Sequence, residues 1–191
     1  MERPAFRSID AAMRFYCDAN TENYQASTLA DLIGGSRPQG NGLGGLDGAA
    51  ERGIIGANLA TLPQVWRRIL LARYSRPEVS CDCLRSCCSK YKLNPPWAIE
   101  VIWLGETVML DLTAPLLRQK PNLRQDIVGR YFNRKHNGRK LTNKEIANRS
   151  KVSERTVASF TADIAVRLRM EEQRAYSAMD ERLRTAKLVG E

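Results

Sequence analysis

Only one histidine, His136, occurs in the 191-residue chain. That scarcity removes most catalytic arrangements in which an imidazole takes or gives a proton, and His136 has no obvious Ser, Cys or Asp partner in sequence. It sits in the basic tract NRKHNGRK and reads as a helix-end cation or a phosphate neighbour. Long apolar runs are absent too. None approaches the roughly 18 residues that a membrane span needs, and the opening MERPAFRSID holds no apolar signal core. A cytoplasmic protein with no membrane partner is the expectation. The five cysteines, without a secretion signal, argue against a disulfide framework.

No strand pattern is convincing, and two motifs lose their meaning as a result. A literal GxGxxG stands at Gly40, Gly42 and Gly45. It has no preceding strand to present backbone amides to a pyrophosphate, and no Gly-Lys-Ser/Thr follows it. Glu100, Glu106, Asp111 and Asp126 are the carboxylates nearest to a nuclease-like set. Without a strand scaffold they read as solvent-facing charges on helices. No enzyme is expected.

What the sequence does contain is charge in one place. The net charge is +9, and residues 121–170 carry 12 basic against 4 acidic side chains, net +8. A concentrated excess of this kind suits a polyanionic partner, most often nucleic acid. Hydrophobic residues make up 43% of the chain, enough for a buried core.

The pattern is all-α. Ser8 is placed to cap a helix through about Cys17, with Ile9 and Met13 on one face. Another short helical turn is expected over Ser27–Ile33. Gly34–Gly48 holds seven of the thirteen glycines and reads as a flexible loop. Helical segments follow over GAAERGIIGANLA and, from Pro63, over PQVWRRILLARYS. In the latter Trp66, Ile69, Leu70 and Tyr74 share a face, while Arg67, Arg68 and Arg76 are free to point to solvent. Asn94 before Pro95 predicts a cap and a start for PPWAIEVIWLGETVMLDL, one helix broken near Gly105. There Trp97, Val101, Ile102, Trp103, Leu104 and Val108 read as core, and the tryptophans as packing residues, not base-stacking platforms. Pro121 opens a helix over Asn122–His136, with Leu123, Ile127 and Tyr131 inward and Arg124, Arg130, Arg134 and Lys135 on the other faces. The expected division is a helical domain over 1–120 and a second domain over 121–191.

The informative stretch is LTNKEIANRSKVSERTV, Leu141 to Val157. Thr142 with Glu145 forms a capping box, in which each side chain satisfies a free amide at the helix start. A short helix to about Arg149, a turn over Ser150–Val152 and a Ser153 cap for a second helix follow. Ile146, Ala147, Val152, Val157, Phe160 and Ile164 form a consistent inward set. This is a helix-turn-helix, with the preceding helix as the third wall of its core. The start of its second helix fits a DNA major groove. Glu154, Arg155 and Ser159 face the bases, Arg155 suited to guanine and Glu154 to cytosine. Lys144, Arg149, Lys151, Ser153 and Thr156 suit phosphates. Lys151 stands where glycine is usual and Ser150 where an apolar residue is usual. A left-handed backbone at Lys151 costs on the order of 1 kcal/mol.

The run from DIVGRYF through EIANRSKVSERTVASFTADIAVRL resembles the region-4-type helix-turn-helix of sigma factors. In particular it is similar to the C-terminal part of phage late-gene antiterminators of the Q class, phage 21 type. The resemblance covers about residues 121–170. It implies a factor that binds DNA beside a promoter, loads onto RNA polymerase (with a sigma factor as a further partner) and promotes read-through of terminators; a conventional activator or sigma-like initiation factor, and the DNA-targeting part of a recombinase or transposase, are the alternatives. The family's base-reading helix corresponds to Ser153–Phe160, and no polymerase-contacting residue is carried over.

Two features stand outside that reading. Within residues 76–93, Cys81, Cys83, Cys87 and Cys88 fall in CDCLRSCC. Four thiolates suit a tetrahedral structural zinc, but the spacing is not that of paired C-x-x-C knuckles, and a loop of reduced thiols is the equal alternative. Cys17 and His136 are the only other Cys or His. From Asp163 to Val189 the chain lacks Gly and Pro, and Ile164, Leu168, Ala175, Met179 and Leu183 form a stripe. A long helix docking that stripe on the N-terminal helices is expected; a second copy or polymerase is the alternative occupant.

Overall fold

The computed structural model describes residues 4–19, 46–81, 91–107, 115–136 and 139–190. They are overwhelmingly helical, as expected for an all-α protein. The Ser27–Ile33 turn and most of the Gly34–Gly48 loop lie outside them. No helix among the described residues is long and apolar enough to cross a membrane.

The chain divides into two compact units. The first comprises residues 1–63 and 175–191. Here α1 (Ile9–Ala19) packs on α2 (Leu46–Ala60). Ser8 caps α1 as the sequence predicts, its Oγ accepting from the Ala11 N–H at 3.3 Å. Gly56 permits the close approach of the two helices, since a Cβ there would stand 3.3 Å from the Tyr16 ring. Phe6, Ile9, Met13, Ile55, Leu59 and Leu62 are buried with Ala175, Met179, Leu183, Leu188 and Val189. The Phe6 N–H donates to the Leu188 carbonyl at 2.9 Å, tying the two ends of the chain together.

The second unit, residues 64–174, carries α3 (Gln64–Tyr74), the ribbon β1 (Glu78–Ser80) and β2 (Tyr91–Leu93), and α4 (Pro95–Thr107). It continues with α5 (Pro115–Gln119), α6 (Pro121–Tyr131), the ribbon β3 (Lys135–His136) and β4 (Arg139–Lys140), and α7 (Asn143–Ser150). The long α8 (Glu154–Thr185) starts in this unit. Its core joins Ile69, Trp97, Val101, Leu104, Leu123, Ile127 and Phe132 to Leu141, Ile146, Val157, Ile164 and Leu168. The expected boundary at 120/121 therefore falls inside a unit. The physical reason is that α4 packs on both α3 and α6, so one apolar core runs across that point.

The stripe on α8 docks within the chain, with Ile164, Leu168, Ala175, Met179 and Leu183 all fully buried. Helix α4 passes through Gly105 unbroken to Thr107. At Gly105 a Cβ would lie 3.3 Å from the Gln125 Cα, so glycine is what lets α4 approach α6. Asn94 is buried, its carbonyl accepting from Ala98 at 2.9 Å and its side-chain amide donating to the Arg76 carbonyl at 2.8 Å.

Several expectations need correction. Ile102 is 41% exposed and Ile99 59% exposed, so the apolar sequence of α4 is not buried all round; Val108 lies outside the described residues. Helix α6 stops at Tyr131, earlier than His136, because Asn133 turns left-handed at φ 61° and the chain enters β3. Two antiparallel ribbons exist where no strand was expected. They are only two or three residues per strand, too short for an alternating pattern to show.

The basic residues of the second unit also depart from a simple outward reading. Arg124 is 5% exposed and donates to the carbonyls of Gly105 (3.0 Å), Leu117 and Arg118 (2.9 Å), closing the ends of α4 and α5. Arg68 pairs with Glu100 at 2.8 Å and lies 4.6 Å over the Trp103 ring. Arg134 pairs with buried Asp126. Glu100 and Asp126 are thus halves of internal ion pairs, whereas Glu106 is exposed and accepts from Gln125 at 3.3 Å. Asp111 lies outside the described residues.

Candidate nucleic-acid interface

Helix α7 begins as its sequence dictates. The Thr142 hydroxyl accepts from the Glu145 N–H at 3.2 Å, and the Glu145 carboxylate accepts from the Thr142 N–H at 2.7 Å. Helix α6 holds this start from the side, since Arg130 donates to the Asn143 side-chain carbonyl. The far end is closed by Lys151 in the left-handed region, φ 52° and ψ 53°. Lysine therefore does occupy the glycine-like position, and it carries the backbone strain with it. The Val152 N–H returns to the Ala147 carbonyl at 3.1 Å, and the Lys120 ammonium donates to the Ser150 carbonyl at 2.6 Å. The second departure also has a visible consequence: the Ser150 hydroxyl is buried without a hydrogen-bond partner among the described residues.

Helix α8 starts from a Ser153 cap, whose Oγ accepts from the Thr156 N–H at 3.0 Å. The inward set falls where periodicity places it. Ile146, Ala147, Val157 and Ile164 are buried, with Val152 and Phe160 packed against them. Small Ala147 gives α8 room to cross α7. The opposite surface is set by the same helical period. Lys144, Arg149, Lys151, Ser153, Glu154, Arg155 and Ser159 are all exposed; Thr156 is half-buried. The Ser153 and Thr156 hydroxyls lie 2.7 Å apart and bond to each other. Among the described residues, Lys144, Arg149, Lys151 and Arg155 form no ion pair.

No protein-family model, no curated protein and no solved structure matches the chain. The chemistry of these side chains is therefore what identifies the site. An exposed helix-turn-helix surface with four cations that form no ion pair among the described residues, a carboxylate and two hydroxyls can bind a polyanion and can also discriminate among hydrogen-bonding edges.

Several other cations of the unit are engaged elsewhere. Arg73 forms a forked pair with Glu172, the second contact at 2.6 Å, and Tyr131 donates to the same carboxylate at 2.5 Å. Burial first, and then the bond to Glu172, push the Tyr131 hydroxyl up to about 12. Burial works against the Arg73 cation, but the Glu172 carboxylate more than offsets it and raises Arg73 above its ordinary value. Trp66 donates to Glu171 at 2.9 Å, and buried Trp97 donates to the Ala72 carbonyl at 3.0 Å, so both act in packing. Glu171 and Glu172 thereby lock α8 to α3 and α6, which holds the exposed start of α8 on a fixed scaffold.

Sequence reasoning missed Arg139 and Lys140, which are exposed on β4 directly before the capping box. It also missed Lys120 as the residue that closes α7. Of the cysteine cluster, only Cys81 lies among the described residues, half-buried after β1. Cys83, Cys87 and Cys88 fall outside them, and Cys17 is buried in α1. Among the described residues no group of three or more potential metal ligands occurs.

Proposed function

We propose that the protein is a sequence-specific duplex-DNA-binding transcription regulator whose reader is α7, its turn and the start of α8. The observation that carries the reading is the contrast in partner status. Arg68, Arg73, Arg124 and Arg134 all have internal partners, while Lys144, Arg149, Lys151 and Arg155 are exposed and form no ion pair among the described residues. Arg155 with Glu154 and Ser159 reads base edges; Lys144, Arg149 and Lys151 bind phosphates. The resemblance of residues 121–170 to Q-class antiterminators supports the next step, in which the bound factor engages RNA polymerase and promotes read-through of terminators.

Two experiments test this. Duplex affinity measured against salt should fall steeply, and Arg155→Ala should lose sequence preference as well as affinity. A reporter placed behind a terminator tests the mechanism. Transcript raised only when the terminator is present supports antitermination; an equal rise with and without it assigns the protein to activation at initiation.

A further inference from the structure

The ribbon of β3 and β4 lies outside the helix-turn-helix, and its pairing is electrostatically unfavourable. Its register sets Lys135 opposite Lys140 and His136 opposite Arg139. Like charges at directly opposite positions, as at Lys135 and Lys140, destabilise an antiparallel pair. No acidic residue occurs between Asp126 and Glu145 to compensate. The ribbon is nevertheless held at its base. Asn133 makes the left-handed turn into it, Arg134 is fixed by its ion pair with Asp126, and the N–H of buried Leu141 donates to the Arg134 carbonyl at 3.1 Å. Arg139 and Lys140 are exposed, with no ion pair among the described residues. A structure that fixes both ends of a self-repelling cationic strand pair has left its charge for something outside the fold.

Position says what that is. The ribbon ends immediately before α7, whereas the base-facing start of α8 follows the far end of α7. The eight residues of α7 span about 12 Å, close to the roughly 12 Å width of a B-DNA major groove. In helix-turn-helix proteins the first helix crosses the sugar-phosphate backbone. A ribbon at its N-terminal end then stands beside the phosphates that flank the groove.

We propose that Arg139 and Lys140 form a second phosphate-binding site, which grips the DNA backbone next to the groove entered by α8. The proposal rests on the reading of α7 and α8 as a DNA reader. Phosphate oxygens beside Arg139 and Lys140 offset the repulsion within the pair, so DNA binding stabilises the ribbon. The site adds affinity without adding sequence preference, because phosphates carry no base identity.

Lys140→Glu in the full chain separates this from a merely decorative charge, with Lys140→Gln as the milder variant and Arg155→Ala as the comparison. The probes are a duplex selected by the wild-type protein from a random pool and an unrelated duplex. Lys140→Glu puts an acid opposite Lys135, so the free protein should unfold at the same or a higher temperature. Its affinity for both duplexes should nonetheless fall by about tenfold or more at moderate salt, with their ratio unchanged. Lys140→Gln should make the slope of log affinity against log salt shallower by about 0.9. Folded Lys140 variants that bind with unchanged affinity and slope, while Arg155→Ala still alters the ratio, overturn the ribbon site alone. A wild-type protein that enriches no duplex from the pool and does not bind the unrelated duplex overturns the DNA reading and the ribbon site together.

Discussion

Arg73 and Arg124 on one side, Arg149 and Arg155 on the other, are the same residue type in one compact unit with opposite fates. The first pair is tied to Glu172 and to three backbone carbonyls. The second pair is exposed and forms no ion pair among the described residues. The difference teaches that a local charge excess is not in itself a binding surface. Part of the net +8 over residues 121–170 holds the fold together, and only the part without internal partners is available to a polyanion. Lys144, Arg149, Lys151 and Arg155 of the helix-turn-helix belong to that part, as do Arg139, Lys140, Arg167 and Arg169, which are exposed and form no ion pair among the described residues.

The comparison can be broken most severely at Arg124. Arg124→Met should destabilise the protein by about 3 kcal/mol, since it removes the guanidinium donor from the buried carbonyls of Gly105 and Leu117 and from the part-buried carbonyl of Arg118. Urea unfolding measures this, and DNA affinity per folded molecule should be unaltered. Arg155→Ala should do the reverse. Its effect on unfolding stays within about 0.5 kcal/mol, while discrimination between selected and unrelated duplexes falls by about 1–3 kcal/mol. If Arg155→Ala destabilises as much as Arg124→Met, the residue is structural and the contrast collapses.

A third test concerns the Glu172 cluster. The Tyr131 hydroxyl ionises at about 12 when folded and near 10 when unfolded. Between these values the unfolded chain has lost a proton that the folded chain keeps. Stability from this group is therefore fully present below about pH 10 and is lost as pH rises towards 12. Tyr131→Phe should flatten the decline in unfolding midpoint across that window; an unchanged decline would place its origin elsewhere. The smallest effect belongs to the turn. Ser150→Ala removes a buried hydroxyl without a partner and should stabilise by about 1 kcal/mol, with salt dependence of DNA binding unchanged. A loss of stability would mean that the hydroxyl makes a bond on which the turn depends. Zinc analysis of the purified protein, with Cys83→Ser as control, addresses the cysteine segment: one zinc lost in the variant supports a structural metal, none in either supports reduced thiols.

What was legible in the sequence was what short-range physics decides. The Thr142–Glu145 box, the Ser8 and Ser153 caps and the inward set from Ile146 to Ile164 each need only a few neighbouring residues to be recognised. The stripe on α8 was legible because a 32-residue helix repeats its pattern many times. What was not legible depended on residues far apart in the chain. Arg124 looks like a surface arginine until Gly105 and Leu117 bring carbonyls to it. Glu172 looks like a surface acid until Arg73 arrives from α3. The division into units escaped detection because α8 gives Ile164 and Leu168 to one core and Met179 and Leu183 to the other. The β3–β4 ribbon carries no apolar alternation, only cations, so it resembled a helix end.

The most direct test of the central claim is the affinity of the intact protein for duplex DNA as a function of salt. With Lys144, Arg149 and Lys151 on phosphates, the log–log slope should be about −3 or steeper. A slope near zero, or binding that persists unchanged from low to high salt, would contradict the assignment of these exposed cations to the DNA backbone.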